Sequence, residues 1–158
     1  MTTSMTEHAT ANMSVTEKIC IEAQDLKIHF KLKSGLFSKP RYLKAVDGVS
    51  FSITQGKTMG LVGESGCGKS TVGRALLRLY DPAGGKILFN GEDITHLNDA
   101  QMQPYRKKMQ MIFQDPFSSL NPRMSVSEII GEPLRVYGMA KDTADLQKQV
   151  SALMDTVG

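Results

Sequence analysis

Apolar and polar residues alternate along two stretches near the start of the chain, which predicts two β-strands. Residues 19–30 alternate loosely, and residues 49–54 alternate strictly between apolar and Ser or Thr side chains. A period of two places every second side chain on the same face of a sheet. A basic, glycine-containing loop is predicted at 31–41, and Gln55-Gly56 turns the chain after the second strand.

Two continuous apolar runs predict buried strands further along. They span residues 58–62 and 109–113, and their length suits strands that are covered on both faces. Another strand is predicted at 86–89, and it ends at Asn90-Gly91, a dipeptide typical of a tight hairpin turn.

Apolar residues recur at helical spacing in a segment after residues 58–62 and again near the end of the chain. The first set predicts a helix that ends before Asp81-Pro82 and comprises Val72, Ala75, Leu76 and Leu79. Residues 97–108 are also predicted to be helical, and 126–134 resume an apolar periodicity. The last set is a helical stripe of Leu146, Val150, Leu153 and Val157.

The segment between the predicted strand 58–62 and the first helix is a phosphate-binding loop. It reads Gly63-Glu64-Ser65-Gly66-Cys67-Gly68-Lys69-Ser70, the full G-x-x-x-x-G-K-[ST] pattern, and Thr71 follows it. Backbone N–H groups of such a loop surround a phosphate, the lysine reaches the β- and γ-phosphates, and the serine hydroxyl ligates Mg²⁺. We therefore expect Gly63 to Thr71 to bind a nucleoside triphosphate, with Ser70 as a metal ligand.

Composition excludes several classes of protein. Charged residues make up 22% and hydrophobic residues 41% of the chain, as in soluble globular proteins, and no apolar run approaches the roughly 18 residues of a membrane helix. A net charge of +3 permits an acidic ligand without requiring nucleic acid. Cys20 and Cys67 form no C-x-x-C motif, which argues against a zinc site or a disulfide framework. Residues 1–18 lack the apolar segment of a secretory signal and are predicted to be a disordered tail.

Outside the loop, further stretches resemble the ATP-binding subunits of ABC transporters in order and spacing. The general family resemblance rests on Ala45 to Phe51, Gly63 to Thr71, and Ile112-Phe113-Gln114-Asp115-Pro116. The stretches that are similar to the oligopeptide/dipeptide importer branch are Ser118 to Met124 and Glu132-Pro133-Leu134. The insert at 33–37 is similar to the second ATPase subunit of those importers. The resemblance covers residues 20–158.

The resemblance implies a fold and a set of functional residues. The fold is an α/β P-loop NTPase, a RecA-like core with the antiparallel β subdomain of ABC ATPases, incomplete at the C-terminus. Residues 19–158 would form the N-terminal part of the nucleotide-binding domain. Gln114 matches the Q-loop glutamine, which is linked to Mg²⁺, the attacking water and the membrane subunits, so Lys69 and Gln114 are the candidate catalytic residues. An aromatic residue stacks on adenine in this family, and Phe30 is favoured over Tyr42 for that role.

Other motifs of the family have no counterpart in this sequence. Nothing after Gln114 offers an apolar run followed by Asp-Glu, there is no Leu-Ser-Gly-Gly-Gln stretch, and all three histidines precede Gln114. The nearest candidate for the acidic strand, Ala152 to Asp155, has a helical periodicity. The chain therefore resembles the front portion of an ABC ATPase, and we expect it to bind ATP but to be inactive in hydrolysis when alone.

The resemblance implies the ATP-binding subunit, or its N-terminal part, of an ABC importer for oligopeptides or dipeptides. Such a subunit is peripheral on the cytoplasmic face of the plasma (inner) membrane. Its partners are membrane-embedded permease subunits, a second ATPase subunit in a homo- or heterodimer, and indirectly a substrate-binding protein, with no nucleic acid. A truncated nucleotide-binding fragment without transport activity is the second interpretation. An ABC-type DNA-repair ATPase is the third, and the lack of paired cysteines and of a coiled coil disfavours it.

Overall fold

The computed structural model describes residues 18–33, 39–115 and 119–158. They fall into two units, Met1–Met102 and Gln103–Gly158. The tail predicted at 1–18 lies outside the described residues except for Lys18, and so do most of the insert at 33–37 and Ser118.

The first unit contains an antiparallel sheet with the strand order β2-β1-β3-β4. Its strands are β1 (Ile19–Leu32), β2 (Arg41–Thr54), β3 (Gly84–Phe89) and β4 (Glu92–Asp93). β1 confirms the strand predicted at 19–30. β2 begins well before the alternating residues 49–54, because β1 and β2 pair along their whole length, from Ile19 opposite Thr54 to Leu32 opposite Arg41.

The core of the first unit lies on one face of this sheet. Helix α1 (Lys69–Leu76) contacts β1 and β2 and buries Val72 and Ala75. Fully burying a large aliphatic side chain stabilises a fold by about 1.5–3 kcal/mol, so these contacts fix the start of α1 relative to the sheet. The buried apolar residues of the strands and the segment after them are Ala23, Leu26, Ile28, Val46, Ile87, Phe89 and Ile94.

Helix α1 ends at Leu76, earlier than the predicted end before Asp81. Arg78 adopts a left-handed φ of 53° and closes the helix with the two backbone bonds of a Schellman cap. Its guanidinium holds this conformation by donating to the Ile94 carbonyl at 3.1 Å and to the Asp81 carboxylate at 2.9 Å. Leu79 is consequently exposed, and its predicted place on the apolar face of the helix is wrong.

The hairpin turn predicted at Asn90-Gly91 is confirmed. Asn90 and Gly91 have φ values of 50° and 86°, as a type I′ turn requires. Beyond the turn, the buried Thr95 hydroxyl accepts from the Ile87 N–H at 2.8 Å and donates to Asp93 Oδ1 at 2.5 Å. Hydrogen bonds from Thr95 hold the pKa of the Asp93 carboxyl below its ordinary value.

The two continuous apolar runs do not form strands, so these predictions are wrong. Within the described part of the chain, residues 58–62 and 109–113 have no β-ladder partner. Val62 and Ile112 are 90% and 97% exposed. A strand requires a neighbouring strand to satisfy its backbone N–H and C=O groups, which apolar composition alone does not provide.

In the described part of the chain, the sheet is followed by helices α2 (Asp99–Arg106), α3 (Val126–Val136) and α4 (Thr143–Val157). They confirm the helical patterns at 97–108, 126–134 and 146–157. In the second unit α3 packs on α4, where the buried Gly131 lies against the side chains of Leu146 and Val150. In the described residues no helix combines the length and apolarity needed to cross a membrane.

Candidate nucleotide-binding site

Glycines allow the P-loop to turn tightly beside β2. Gly66 and Gly68 have φ values of 82° and 99°, which L side chains rarely adopt. A Cβ at Gly68 would also collide with the carbonyl oxygen of Ala45 in β2. The loop can therefore approach the strand this closely only with glycine at position 68.

The loop leads directly into the N-terminus of α1. Gly68 is the N-cap, it provides no side-chain cap, and its carbonyl accepts from the Val72 N–H at 2.9 Å. The N–H groups of Lys69, Ser70 and Thr71 precede that first helical bond, and the first N–H groups of a helix have no intrahelical partner. Together with the helix dipole, they create a positive site that suits phosphate.

The Lys69 ammonium group lies within the curve of the loop. It donates to the Gly63 carbonyl at 2.8 Å and to the Glu64 carbonyl at 2.5 Å, and it lies 3.5 Å from Cys67 Sγ. These contacts hold a full positive charge beside the N-terminus of α1. A phosphate in the loop would offer this ammonium group a negatively charged acceptor in place of neutral carbonyl oxygens, so that both partners of the hydrogen bond would carry charge.

A cavity of about 450 Å³ adjoins the P-loop and α1. This volume is within the usual range for small-molecule sites, roughly 300–1,000 Å³. The wall comes from the two long strands on one side and from the phosphate loop on the other. Its residues are Phe30, Leu43, Lys44, Ala45, Gly66, Cys67, Gly68, Lys69, Ser70 and Thr71.

Of the two candidate aromatic residues, Phe30 lines the cavity and Tyr42 does not. Phe30 pairs with Leu43 across the strands, whereas Tyr42 pairs with Lys31, so the two rings belong to opposite faces of the strand pair. The Phe30 ring packs edge-on against Tyr80 with centroids 5.0 Å apart, while Tyr42 is 55% exposed.

The contribution of β2 to the cavity is not predicted by any motif in the sequence. Leu43 and Lys44 enter the lining because the register places them beside the end of β1, and no local motif marks them. The Lys44 ammonium group bonds Asp47 at 3.0 Å, and His29 Nε2 lies 3.2 Å from the same carboxylate. Both contacts hold the pKa of Asp47 below its ordinary value, with the Lys44 bond the larger cause.

The remaining predicted site residues are placed as follows. Ser70, Thr71 and Cys67 are in the cavity wall, whereas Glu64 and Ser65 are exposed residues of the loop outside that wall. Gln114 is exposed and belongs to the second unit, and its role stays a prediction. In the described ranges no group of three or more His, Cys, Asp or Glu residues is arranged to hold a metal.

Comparisons with known proteins show the family to which the chain is similar. The model of the ABC transporter family matches residues 46–158. The oligopeptide transport ATP-binding protein AppF of Bacillus subtilis (strain 168) is 46% identical over 147 residues, which are 92% of this chain and 44% of that protein. OppF of Escherichia coli (strain K12) is 43% identical over 150 residues, which are 92% of this chain and 45% of that protein. The glutathione import ATP-binding protein GsiA of Salmonella paratyphi A is 46% identical over 139 residues, which are 87% of this chain and 22% of that protein. The chain thus spans less than half the length of these relatives.

Two solved structures of the ATP-binding cassette MJ0796 have a similar fold. The dimeric post-hydrolysis state bound to ADP and Pi gives a TM-score of 0.66 at 20% identity, covering 84% of this chain and 54% of that one. A second dimeric structure of the same bacterial ABC transporter cassette gives a TM-score of 0.64 at 22% identity. The match covers 81% of this chain and 53% of that one. The expected fold class, an α/β P-loop NTPase with an antiparallel β subdomain, is confirmed by the family match together with these neighbours.

Proposed function

This chain belongs to the ABC transporter family, and we propose that it forms part of an ATP-binding subunit that drives the import of oligopeptides. One observation carries the proposal: Lys69 and the N-terminus of α1 converge on a cavity of about 450 Å³ that also contains an aromatic ring. The loop is the part of the site that would bind the phosphates. The peptide substrate class is taken from the names of the relatives, AppF and OppF.

The cavity suits ATP at both of its ends. The N–H groups at the start of α1 and the Lys69 ammonium would hold the β- and γ-phosphates. Phe30 would stack on the adenine ring, a contact that depends on the flat face of the base. This division puts the charged part of the ligand at the helix and its aromatic part at the end of β1.

A magnesium ion also fits the donors in the cavity. The Ser70 hydroxyl, in the wall next to Lys69, offers the oxygen ligand that Mg²⁺ prefers. When bound, Mg²⁺ would supply positive charge that stabilises the phosphates. We propose Ser70 as its protein ligand. The proposed role of Gln114 in Mg²⁺ binding and in orienting the attacking water rests on its match to the Q-loop glutamine.

The described wall of the cavity contains no carboxylate. Hydrolysis needs a carboxylate near the metal or a base for water, and losing such a group typically slows catalysis by a factor of about 10² to 10⁴. We therefore propose that the 158-residue chain binds ATP and hydrolyses it slowly on its own.

The proposed partners follow from the same family membership. They are membrane-embedded permease subunits, a second ATPase subunit, and indirectly a substrate-binding protein. The dimeric form of the neighbouring cassettes supports pairing with a second ATPase subunit, as a homo- or heterodimer. The proposed location is the cytoplasmic face of the inner membrane, where the chain would be peripheral.

A chimera tests peptide import separately from nucleotide binding. OppF of Bacillus subtilis is 47% identical to this chain over 145 residues, so that segment of OppF can be replaced by the chain. In cells lacking OppF, we expect the chimera to restore uptake of a labelled tripeptide, and the Lys69→Ala chimera to reduce it by about tenfold or more. A chimera that accumulates and binds ATP but restores no uptake would contradict the peptide-import proposal alone.

A further inference from the structure

Positive charge is concentrated where β1 and β2 approach their shared end. Residues 26–46 contain six of the nineteen Lys and Arg residues of the chain and no Asp or Glu. The rest of the chain has thirteen Lys and Arg residues against sixteen Asp and Glu residues. The net positive charge of the protein therefore originates in this strand pair.

Among the described residues, two of these six cations have an acidic partner and four have none. Lys27 bonds Asp25 at 2.7 Å, and Lys44 bonds Asp47 at 3.0 Å. The other four are exposed and form no ion pair within the described ranges; they are Lys31, Lys33, Lys39 and Arg41. Unpaired cations this close together repel one another, so an anionic partner would be attracted strongly.

Apolar side chains are exposed among these cations. Leu32 pairs with Arg41 and is 40% exposed, and Tyr42 pairs with Lys31 and is 55% exposed. The backbone pairing of the two strands holds all four residues at one end of the sheet. Tyrosine is typical of the boundary between lipid headgroups and acyl chains, and Lys and Arg extend apolar stems while their charges stay at the headgroups.

We propose that this basic strand end (Lys31, Leu32, Lys33, Lys39, Arg41 and Tyr42) binds the surface of an anionic lipid bilayer. The inference rests on the proposed function as a subunit peripheral to a membrane, and it names the surface that would make the contact. Nucleic acid also offers phosphates, but the exposed Leu32 side chain has a natural place in a lipid interface and none along a sugar-phosphate backbone. Each cation near an anionic membrane surface strengthens binding by a factor of about five.

Vesicle co-sedimentation of the full 158-residue chain tests the proposal. Vesicles of phosphatidylcholine with about one third phosphatidylglycerol are compared with pure phosphatidylcholine at low salt. We expect binding to the anionic vesicles only, and a steep loss of binding as sodium chloride is raised. The salt series uses the unaltered protein, so its outcome does not depend on the folding of a variant.

Two triple variants with the same net charge locate the surface. The first replaces Lys33, Lys39 and Arg41 with Gln, and the control replaces the exposed Lys18, Lys141 and Lys148 with Gln. Partition to anionic vesicles should fall by about a hundredfold in the first variant and by less than about threefold in the control. Equal losses in the two variants, or equal binding of the unaltered chain to neutral vesicles, would overturn the proposal.

Two further readouts separate this inference from its alternatives. Tighter binding of a DNA duplex than of the anionic vesicles, with the same ranking of variants, would overturn the lipid assignment in favour of nucleic acid. Titration of the same samples with a fluorescent ATP analogue reports on the proposed function. Nucleotide binding without vesicle binding refutes only the membrane surface, whereas an unaltered chain that binds no nucleotide refutes the proposed function itself.

Discussion

Phe30 is the side chain of the cavity best suited to contact adenine. Its ring lines the cavity and is held edge-on by Tyr80. Phe30→Ala should weaken the binding of a fluorescent ATP analogue by about 1–3 kcal/mol, a factor of about 5 to 150, because the stacking face is lost.

Tyr42→Ala is the matched control for this substitution. Tyr42 is exposed and lies outside the cavity wall, so its loss should change the affinity by less than about twofold. Circular dichroism checks that both variants stay folded. The opposite ranking of the two variants would assign the adenine contact to Tyr42.

The alkylation rate of the Cys67 thiol measures whether nucleotide occupies the P-loop. The Cys67 side chain is exposed in the cavity wall, 3.5 Å from the Lys69 ammonium. Saturating Mg-ATP should cover the thiol and slow its alkylation by about tenfold or more, measured by mass spectrometry. Cys20, half-buried in β1, provides an internal control whose rate should not change. If Cys67 reacts equally fast with and without nucleotide, the ligand does not occupy this loop.

The P-loop could be read from the sequence because its chemistry is carried by consecutive residues. Gly66 and Gly68 have positive φ values, and the Lys69 ammonium bonds backbone carbonyls of the loop. The opposite wall was not predicted, because Leu43 and Lys44 reach the cavity through the pairing of two strands. A local pattern contains no information about that register.

Elements that depend on neighbouring residues in the sequence were predicted, whereas elements that depend on pairing with a distant strand were not. β1, the turn at Asn90-Gly91 and α4 depend on local periodicity or turn chemistry, and the structure contains all three. The runs at 58–62 and 109–113 were predicted as strands from composition alone. A strand also depends on its neighbours, and the described residues supply no partner for either run.

The start of α3 contains a capping box whose strength depends on pH. The Ser125 hydroxyl accepts from the Glu128 N–H at 3.3 Å, and Glu128 Oε2 accepts from the Ser125 N–H at 2.7 Å. These bonds, the one from the Ser125 backbone first, hold the pKa of Glu128 below its ordinary value. Its stabilising effect is therefore fully present above the unfolded pKa and is lost as the pH falls through the folded pKa.

Hydrogen exchange tests this effect at the first turn of α3. Protection factors, corrected for the intrinsic rate at each pH, should fall on acidification in the unaltered protein and stay constant in Glu128→Gln, which keeps an acceptor but does not titrate. Ser125→Ala should weaken the helix start by about 1 kcal/mol at neutral pH. An equal acid-induced loss in Glu128→Gln would show that another group controls the helix start.

At the scale of the whole molecule, the first unit carries the chemistry that the structure describes most fully. It holds the P-loop, the cavity and the basic strand end, while the second unit contains Gln114, α3 and α4. The fold class was predictable because the family motifs lie in consecutive stretches of the chain. The chain spans less than half the length of AppF and OppF, so import by the whole subunit remains the proposal tested by the chimera.

Binding of Mg-ATP to the unaltered chain and to Lys69→Ala tests the central claim most directly. Lys69 supplies the full positive charge inside the loop, and charge-assisted hydrogen bonds contribute about 1.5–3 kcal/mol each. Titration with a fluorescent ATP analogue should give a Kd higher by roughly ten- to a hundredfold in Lys69→Ala. Lys57→Ala, at an exposed lysine outside the cavity wall, should bind like the unaltered chain. Equal affinities for the unaltered chain and Lys69→Ala would contradict the assignment of this loop as the nucleotide site.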